Sequence, residues 1–235
     1  MRPSDPIRIF LSGIIALGLT ATAVWWAPLN QDEGWYLLAT RMVSRAQIPY
    51  RDFAFTQTPL FPYVFQLVQP GIEAFGMVAG RLFNVFWLLM TYWVLLWSCK
   101  KRVPASAYTF SVLTVLCLLG LNAFQTQYAV TIKTYTLAGY FLCLSVLGWL
   151  SYCQGGRSFT LILTAVGLAL ATATRITLVV FYIPFFLSLL SQRKVKGDKQ
   201  WILFSLSSIL SLCILLLPFV LANPQGFYYH VLEFH

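Results

Sequence analysis

Residues 159–190 read FTLILTAVGLALATATRITLVVFYIPFFLSLL, an apolar run of 32 residues whose only charge is Arg175. As one helix it would extend about 48 Å at 1.5 Å per residue, well beyond the roughly 30 Å hydrocarbon core of a bilayer. The basic residues on either side decide how it folds. Arg157 precedes the run, and Arg193, Lys194, Lys196 and Lys199 follow it. The positive-inside rule puts both flanks in the cytoplasm. They share that side only if the run crosses twice, as a hairpin turning near Ala173-Thr174-Arg175. Each arm then falls short of a full crossing, so Arg175 should sit below the outer surface. There it either snorkels to the headgroups or serves a function.

The rest of the chain fits this reading. Of its 235 residues, 59% are apolar and 10% charged, with a mean hydropathy of +0.73, which excludes an ordinary soluble domain. Further candidate spans are Ile9–Ala27, Met77–Ser98, Pro104–Phe124, Tyr135–Tyr152 and Trp201–Leu221. Without water to satisfy the backbone amides, each must be helical. Lys100, Lys101 and Arg102 form another basic loop. Together these charges predict an all-α membrane protein of seven transmembrane helices with a cytoplasmic N-terminus. Residues 1–235 read as one transmembrane module, with an outer loop at 29–76, the short-helix hairpin at 159–190 and an outer C-terminal tail at 222–235. Arg2, Arg8 and Ala21-Thr22-Ala23 resemble a signal peptide, but the apolar run continues through Val24, Trp25 and Trp26, which favours a retained first helix.

The net charge of +9 does not point to nucleic acid, because the basic residues lie in short loops and not on one solvated face. The five cysteines contain no CxxC pair, so neither a disulfide framework nor a zinc site is indicated. On the predicted topology Asp32, Glu33, Asp52, Glu73 and Glu233 all lie outside, so any chemistry faces outward. The long outer loop agrees, since connections of that length are usually functional. Within it, Asn30 and Glu33 have the spacing of a capping box that opens a helix through Ser44, with Trp35, Leu38 and Met42 on one stripe. This helix is expected on the membrane surface. Pro59 and Pro70-Gly71 bracket a second short amphipathic helix.

The outer face thus offers Asp32 and Glu33 at the exit of the first span, Arg51 and Asp52 in a Tyr-Arg-Asp-Phe cluster, Lys133 before the fourth span, and Arg175. A carboxylate with several cations beside a bilayer suits group transfer from a lipid-linked phosphate. The carboxylate takes a proton from an acceptor hydroxyl, worth about 10² to 10⁴ in rate, while the cations stabilise the departing phosphate. Capping of the helix explains one carboxylate, best Glu33, and leaves Asp32 unassigned. His230, Glu233 and His235 match no standard zinc spacing, and that tail reads as a membrane-surface segment. Most tryptophans belong to spans and their ends, while Trp35 and Tyr36 are open to sugar stacking.

The order DEGWYLLATRMVSRAQIPYRDF, residues 32–53, followed by TQTPLFPYVF, residues 56–65, resembles the first outer loop of the GT-C glycosyltransferases that use polyprenyl-phosphate sugars. These are relatives of protein O-mannosyltransferases and lipid A aminoarabinose transferases. ALATATRITLVVFYIPFF, residues 169–186, is similar to that family's short-helix, Thr-Arg, short-helix hairpin. The resemblance implies that Asp32 is the catalytic carboxylate and that Glu33 binds substrate or a divalent cation. It makes Arg51 and Arg175 contacts to the lipid phosphate, with Asp52 beside them. Lys133 is added on charge and topology alone. The implied partners are a polyprenyl-phosphate sugar donor, a lipid, glycan or protein acceptor, and membrane lipids, with the site on the outer face of the plasma membrane. Thr58 stands where the family has a second proline. Full members carry more spans, which leaves a truncated form, a fragment, or half of a split enzyme with a complementary subunit.

Rival readings are a carrier or flippase for a lipid-linked substrate, and an inactive partner subunit. Transporters tend to carry buried charges in several spans and internal repeats, and the sequence displays neither pattern.

Overall fold

The computed structural model describes residues 5–191 and 199–234. Arg2, Arg193, Lys194, Lys196 and His235, all used in reading the sequence, lie outside the described residues. In chain order the helices are α1 (Asp5–Trp26), α2 (Gln31–Ser44), α3 (Leu60–Phe65), α4 (Gln69–Phe75), α5 (Met77–Arg102), α6 (Ala105–Leu119), α7 (Ala123–Val130), α8 (Thr134–Cys153), α9 (Ser158–Thr174), α10 (Tyr182–Ser191), α11 (Lys199–Ala222) and α12 (Pro224–Tyr228). The architecture is all-helical; among the described residues, extended pairing is limited to an isolated bridge between Pro49 and Phe53. Among the described residues, four helices are long and apolar enough to cross a membrane: Ile7–Trp26, Met77–Arg102, Thr134–Cys153 and Lys199–Ala222; a fifth crossing results if α6 and α7 count together.

The predicted Pro104–Phe124 span is therefore not one straight helix. It breaks at Gly120–Asn122 and bends by 67°. Asn122 caps the restart, its Oδ1 accepting the Gln125 N–H at 3.2 Å, an arrangement that rewards ending one helix and opening the next. Pro70 also acts differently from the expectation. It does not close a helix after Pro59 but lies in the first turn of α4, where its missing N–H costs nothing. A 3₁₀ turn, Gln66–Val68, links α3 to α4. The stop comes at Gly76, with φ +63°, a conformation glycine adopts without strain.

The residues form two compact units, Met1–Leu37 with Val68–Thr136, and Leu38–Leu67 with Leu137–His235. In the first, α1 packs on α5, α6 and α7, and α5 packs on α4, α6 and α7. Leu88, Tyr92 and Ala129 form its apolar centre, with Val115 and Leu119 beside them.

In the second unit, α9 packs along α11. Tyr152, Leu161, Ala165, Leu168, Phe185, Leu189 and Phe204 make its core. A Cβ at Gly167 would stand 3.1 Å from the Ser145 backbone nitrogen, so glycine lets α8 and α9 approach closely, as membrane helices do at small residues. The run 159–190 breaks at Arg175, whose backbone is extended (φ −150°, ψ 113°). Beyond it come a 3₁₀ segment, Ile176–Phe181, and α10. Asn223 anchors the C-terminal segment: its Oδ1 accepts the Gly226 N–H at 2.9 Å and its Nδ2 donates to the Tyr50 carbonyl at 3.0 Å.

Candidate functional site

Helix α2 begins as its sequence requires. Asn30 Oδ1 accepts the Asp32 N–H at 3.0 Å, and Glu33 Oε2 accepts the Asn30 N–H at 3.3 Å. This is the reciprocal capping box. Both groups at once satisfy N–H donors that have no partner inside the helix.

Glu33 does more than cap. Its side chain is fully buried and forms a two-pronged pair with Arg81, Nη2 to Oε2 at 2.7 Å and Nε to Oε1 at 2.9 Å. Oε1 also accepts the Ile132 N–H at 3.1 Å. Arg81 spends its remaining donors on the carbonyls of Val24, Ala27 and Pro28, which end α1. Burial alone would push the Glu33 carboxyl upward, but the Arg81 hydrogen bonds and the N–H groups of Ile132 and Asn30 outweigh it and hold the group below its ordinary value. One ion pair therefore ties together the end of α1, the start of α2, helix α5 and the segment between α7 and α8.

One turn along α5, Asn84 is completely buried. Its Nδ2 donates to the carbonyls of Ala129 at 2.9 Å and Thr131 at 2.7 Å, with Thr136 Oγ1 at 3.4 Å. These carbonyls end α7, and a buried helix end needs such donors. The short linker that follows delivers Lys133. Its Nζ lies 2.6 Å from Asp32 Oδ2, with the Lys133 side chain 13% and the Asp32 side chain 48% exposed. Asp32 is thus not left unpartnered by capping. It is a half-exposed carboxylate carrying an ammonium group, next to a neighbour locked inside the fold.

The second unit holds the other sequence-predicted residues. Arg51 and Asp52 pair through Nε–Oδ1 and Nη2–Oδ2 contacts of 2.9 Å. Asp52 Oδ2 also accepts the Ile48 N–H at 2.7 Å, and Tyr50 N–H donates to the Phe53 carbonyl at 2.8 Å. Asp52 accordingly closes a tight turn that presents Arg51. The Arg51 hydrogen bond lowers the Asp52 carboxyl, and Asp52 raises Arg51 in return. Tyr50 sits in this turn at φ +67°, buried edge-on against Phe219 and Phe227. Arg175 ends α9, and its Nε donates to Thr177 Oγ1 at 3.2 Å. The geometry brings together Asp32, Glu33 and Lys133 within one unit, and Arg51 with Asp52 in the other.

A divalent cation does not fit the acidic pair. Ammonium and guanidinium groups already sit against Asp32 and Glu33. Among the described residues, no three His, Cys, Asp or Glu side chains gather around a point.

Sequence reasoning missed Arg81 and Asn84; Arg81 is a charge buried within a single span, 4% exposed in α5. The signal was available, since an arginine inside a span demands a partner. Helix α2 keeps the expected stripe of Trp35 and Leu38 apart from the face it buries. Trp35 and Leu38 are exposed, whereas Tyr36, Ala39 and Val43 are buried. No family model and no curated protein matches this chain.

Proposed function

We propose that the chain is a glycosyltransferase of the GT-C type, moving a sugar from a polyprenyl-phosphate donor to an acceptor hydroxyl on the outer face of the plasma membrane. The observation that carries the reading is the Asp32–Lys133 contact of 2.6 Å. It sets a solvent-reachable carboxylate and a cation side by side at the end of the first apolar helix, on a mount fixed by the buried Glu33–Arg81 pair.

In this reading Asp32 accepts the proton of the acceptor hydroxyl as its oxygen bonds to the anomeric carbon of the sugar. The bond from that carbon to the phosphate oxygen breaks, and its electron pair leaves with the phosphate. Lys133 meets the charge gathering there. A phosphate leaves as a stable anion and requires no general acid, and a single displacement inverts the anomeric centre. Glu33 acts as a support, because its oxygens are taken up by Arg81, Ile132 and Asn30.

The matching topology has seven spans, with a cytoplasmic N-terminus. In this reading the two shorter apolar helices, Ser158–Thr174 and Ile176–Ser191, serve as the arms of a hairpin with Arg175 at its outer turn. The Lys100, Lys101 and Arg102 cluster faces the cytoplasm.

The test is transfer in lipid nanodiscs, measured as release of polyprenyl phosphate from a panel of polyprenyl-phosphate sugars. An active chain should lose about 10² to 10⁴ in rate on Asp32→Asn. Lys133→Met should lower the rate as well. Transfer at the unsubstituted rate by Asp32→Asn would overturn the assignment.

A further inference from the structure

We infer that Asn84 is a positioning residue: together with Gly80 and Arg81 it makes one face of α5 a template that fixes residues 131–133 and so sets the reach of Lys133 to Asp32. This rests on the reading of Asp32 as base and Lys133 as the cation beside it.

Residues 131–133 lie between α7 and α8; the last hold from α7 is the Thr131 N–H on the Gln127 carbonyl at 3.1 Å. The template holds them at successive points. Asn84 grips the Thr131 carbonyl, and Glu33, itself fixed by Arg81, grips the Ile132 N–H. The fully buried Ile132 side chain sits over Gly80, where an added Cβ would lie 2.6 Å from its Cδ1 and 3.2 Å from Leu37 Cδ2. Lys133 therefore leaves a backbone fixed by hydrogen bonds and by packing, and its flexible stem covers only the last distance to Asp32. That matters because misplacement of a reacting group by about 1 Å costs roughly 10²-fold in rate.

Asn84 is more than an apolar spacer could be. Both carbonyls it holds lie at the buried end of α7 and need donors; Ala129 also accepts the Thr136 hydroxyl at 2.9 Å, while Thr131 takes the Asn84 amide at 2.7 Å. Its own Oδ1 has no hydrogen-bond partner among the described residues, a cost that simple space-filling would avoid. The amide is kept for its donor end, which reaches the backbone leading to Lys133.

The experiment reads Lys133 directly. The chain in nanodiscs is reductively methylated, and the rate at Lys133 is followed by peptide mass spectrometry with Lys100 as internal reference. Loss of a weak ion pair raises the reactive fraction about fivefold, and that increase is expected for Asn84→Leu and for Gly80→Ala. Adding Ile132→Val to Gly80→Ala removes the Cδ1 in the way and should return Lys133 to the unsubstituted rate. Transfer should follow the same order, falling about tenfold or more in each single variant and recovering in the double. If Asn84→Leu fails to fold, Gly80→Ala and its double carry the test. Unchanged Lys133 reactivity in the folded single variants overturns the proposal, and so does altered reactivity with undiminished transfer. Should Asp32→Asn transfer normally, the catalytic reading fails by itself, and the labelling rates still decide whether Asn84 fixes Lys133.

Discussion

Helix α2 has an arginine–carboxylate pair at its start and another just beyond its end, and the two differ in nearly everything except chemistry. Glu33 and Arg81 are 48 positions apart in sequence and almost wholly buried. Arg51 and Asp52 are neighbours, with side chains 50% and 28% exposed. The first pair joins separate helices; the second closes a turn on itself. A charge pair stabilises a fold according to what would be left behind if it broke. In water a freed charge is resolvated, whereas in a dry interior it stays unpaired.

The sharpest way to break this comparison is to remove the arginine from each pair. Arg81→Met leaves the Glu33 carboxylate buried with only backbone donors, and removes the cap on the α1 carbonyls. The expected loss is about 3–5 kcal/mol, read as a large fall in the thermal midpoint in detergent or nanodiscs. Arg51→Met should leave that midpoint essentially unmoved. Comparable shifts for both variants would show that burial is not what separates the pairs.

Acid should distinguish them next. The Glu33 carboxyl is held below its ordinary value of 4.5 by Arg81 and by the N–H groups around it. Its stabilising contribution is therefore complete above that value and disappears as pH falls through the lower, folded value. The thermal midpoint should decline on acidification below about pH 4.5, and Glu33→Gln should flatten that decline while lowering the plateau. Asp52 is also lowered, by Arg51, but its turn is local. Asp52→Asn should alter amide exchange at Ile48, which donates to it, and leave the global acid profile in place.

The same contrast explains what could be read from the sequence. The apolar runs, the break in 159–190 and the Asn30–Glu33 cap are local signals, written in composition and in spacings of a few residues. Asp32, Glu33 and Lys133 could each be singled out by charge and by their places at the ends of apolar runs. Their pairing could not, because it depends on Ile132 and Lys133 arriving from about 100 positions away through contacts made by Arg81 and Asn84. Those two residues sit inside an apolar run, where hydropathy averages them away. The proline at 70 was misjudged for a different reason: its ring suits the first turn of a helix as well as the end of one, and spacing alone does not say which.

The smallest effect tests whether the far end of α2 depends on backbone conformation more than on charge. Helix α2 closes with a Schellman-type arrangement: Ala46 N–H donates to the Val43 carbonyl at 2.9 Å, and Gln47 N–H to the Met42 carbonyl at 3.1 Å. The residue that takes the left-handed conformation there is Ala46, at φ +62°, where glycine is usual. A Cβ in that conformation costs about 1–2 kcal/mol, partly offset by the roughly 0.5–1 kcal/mol of extra chain entropy that glycine loses on folding. Ala46 is exposed, so little packing is lost with its methyl group. Ala46→Gly should therefore raise stability by about 0.5–1 kcal/mol, a gain of about 1–3 °C in the thermal midpoint. Because this strain is independent of charge, the gain should be the same in an Arg51→Met background. A smaller gain there would mean that the exposed pair helps hold the turn, and the two ends of α2 would be more alike than their burial suggests.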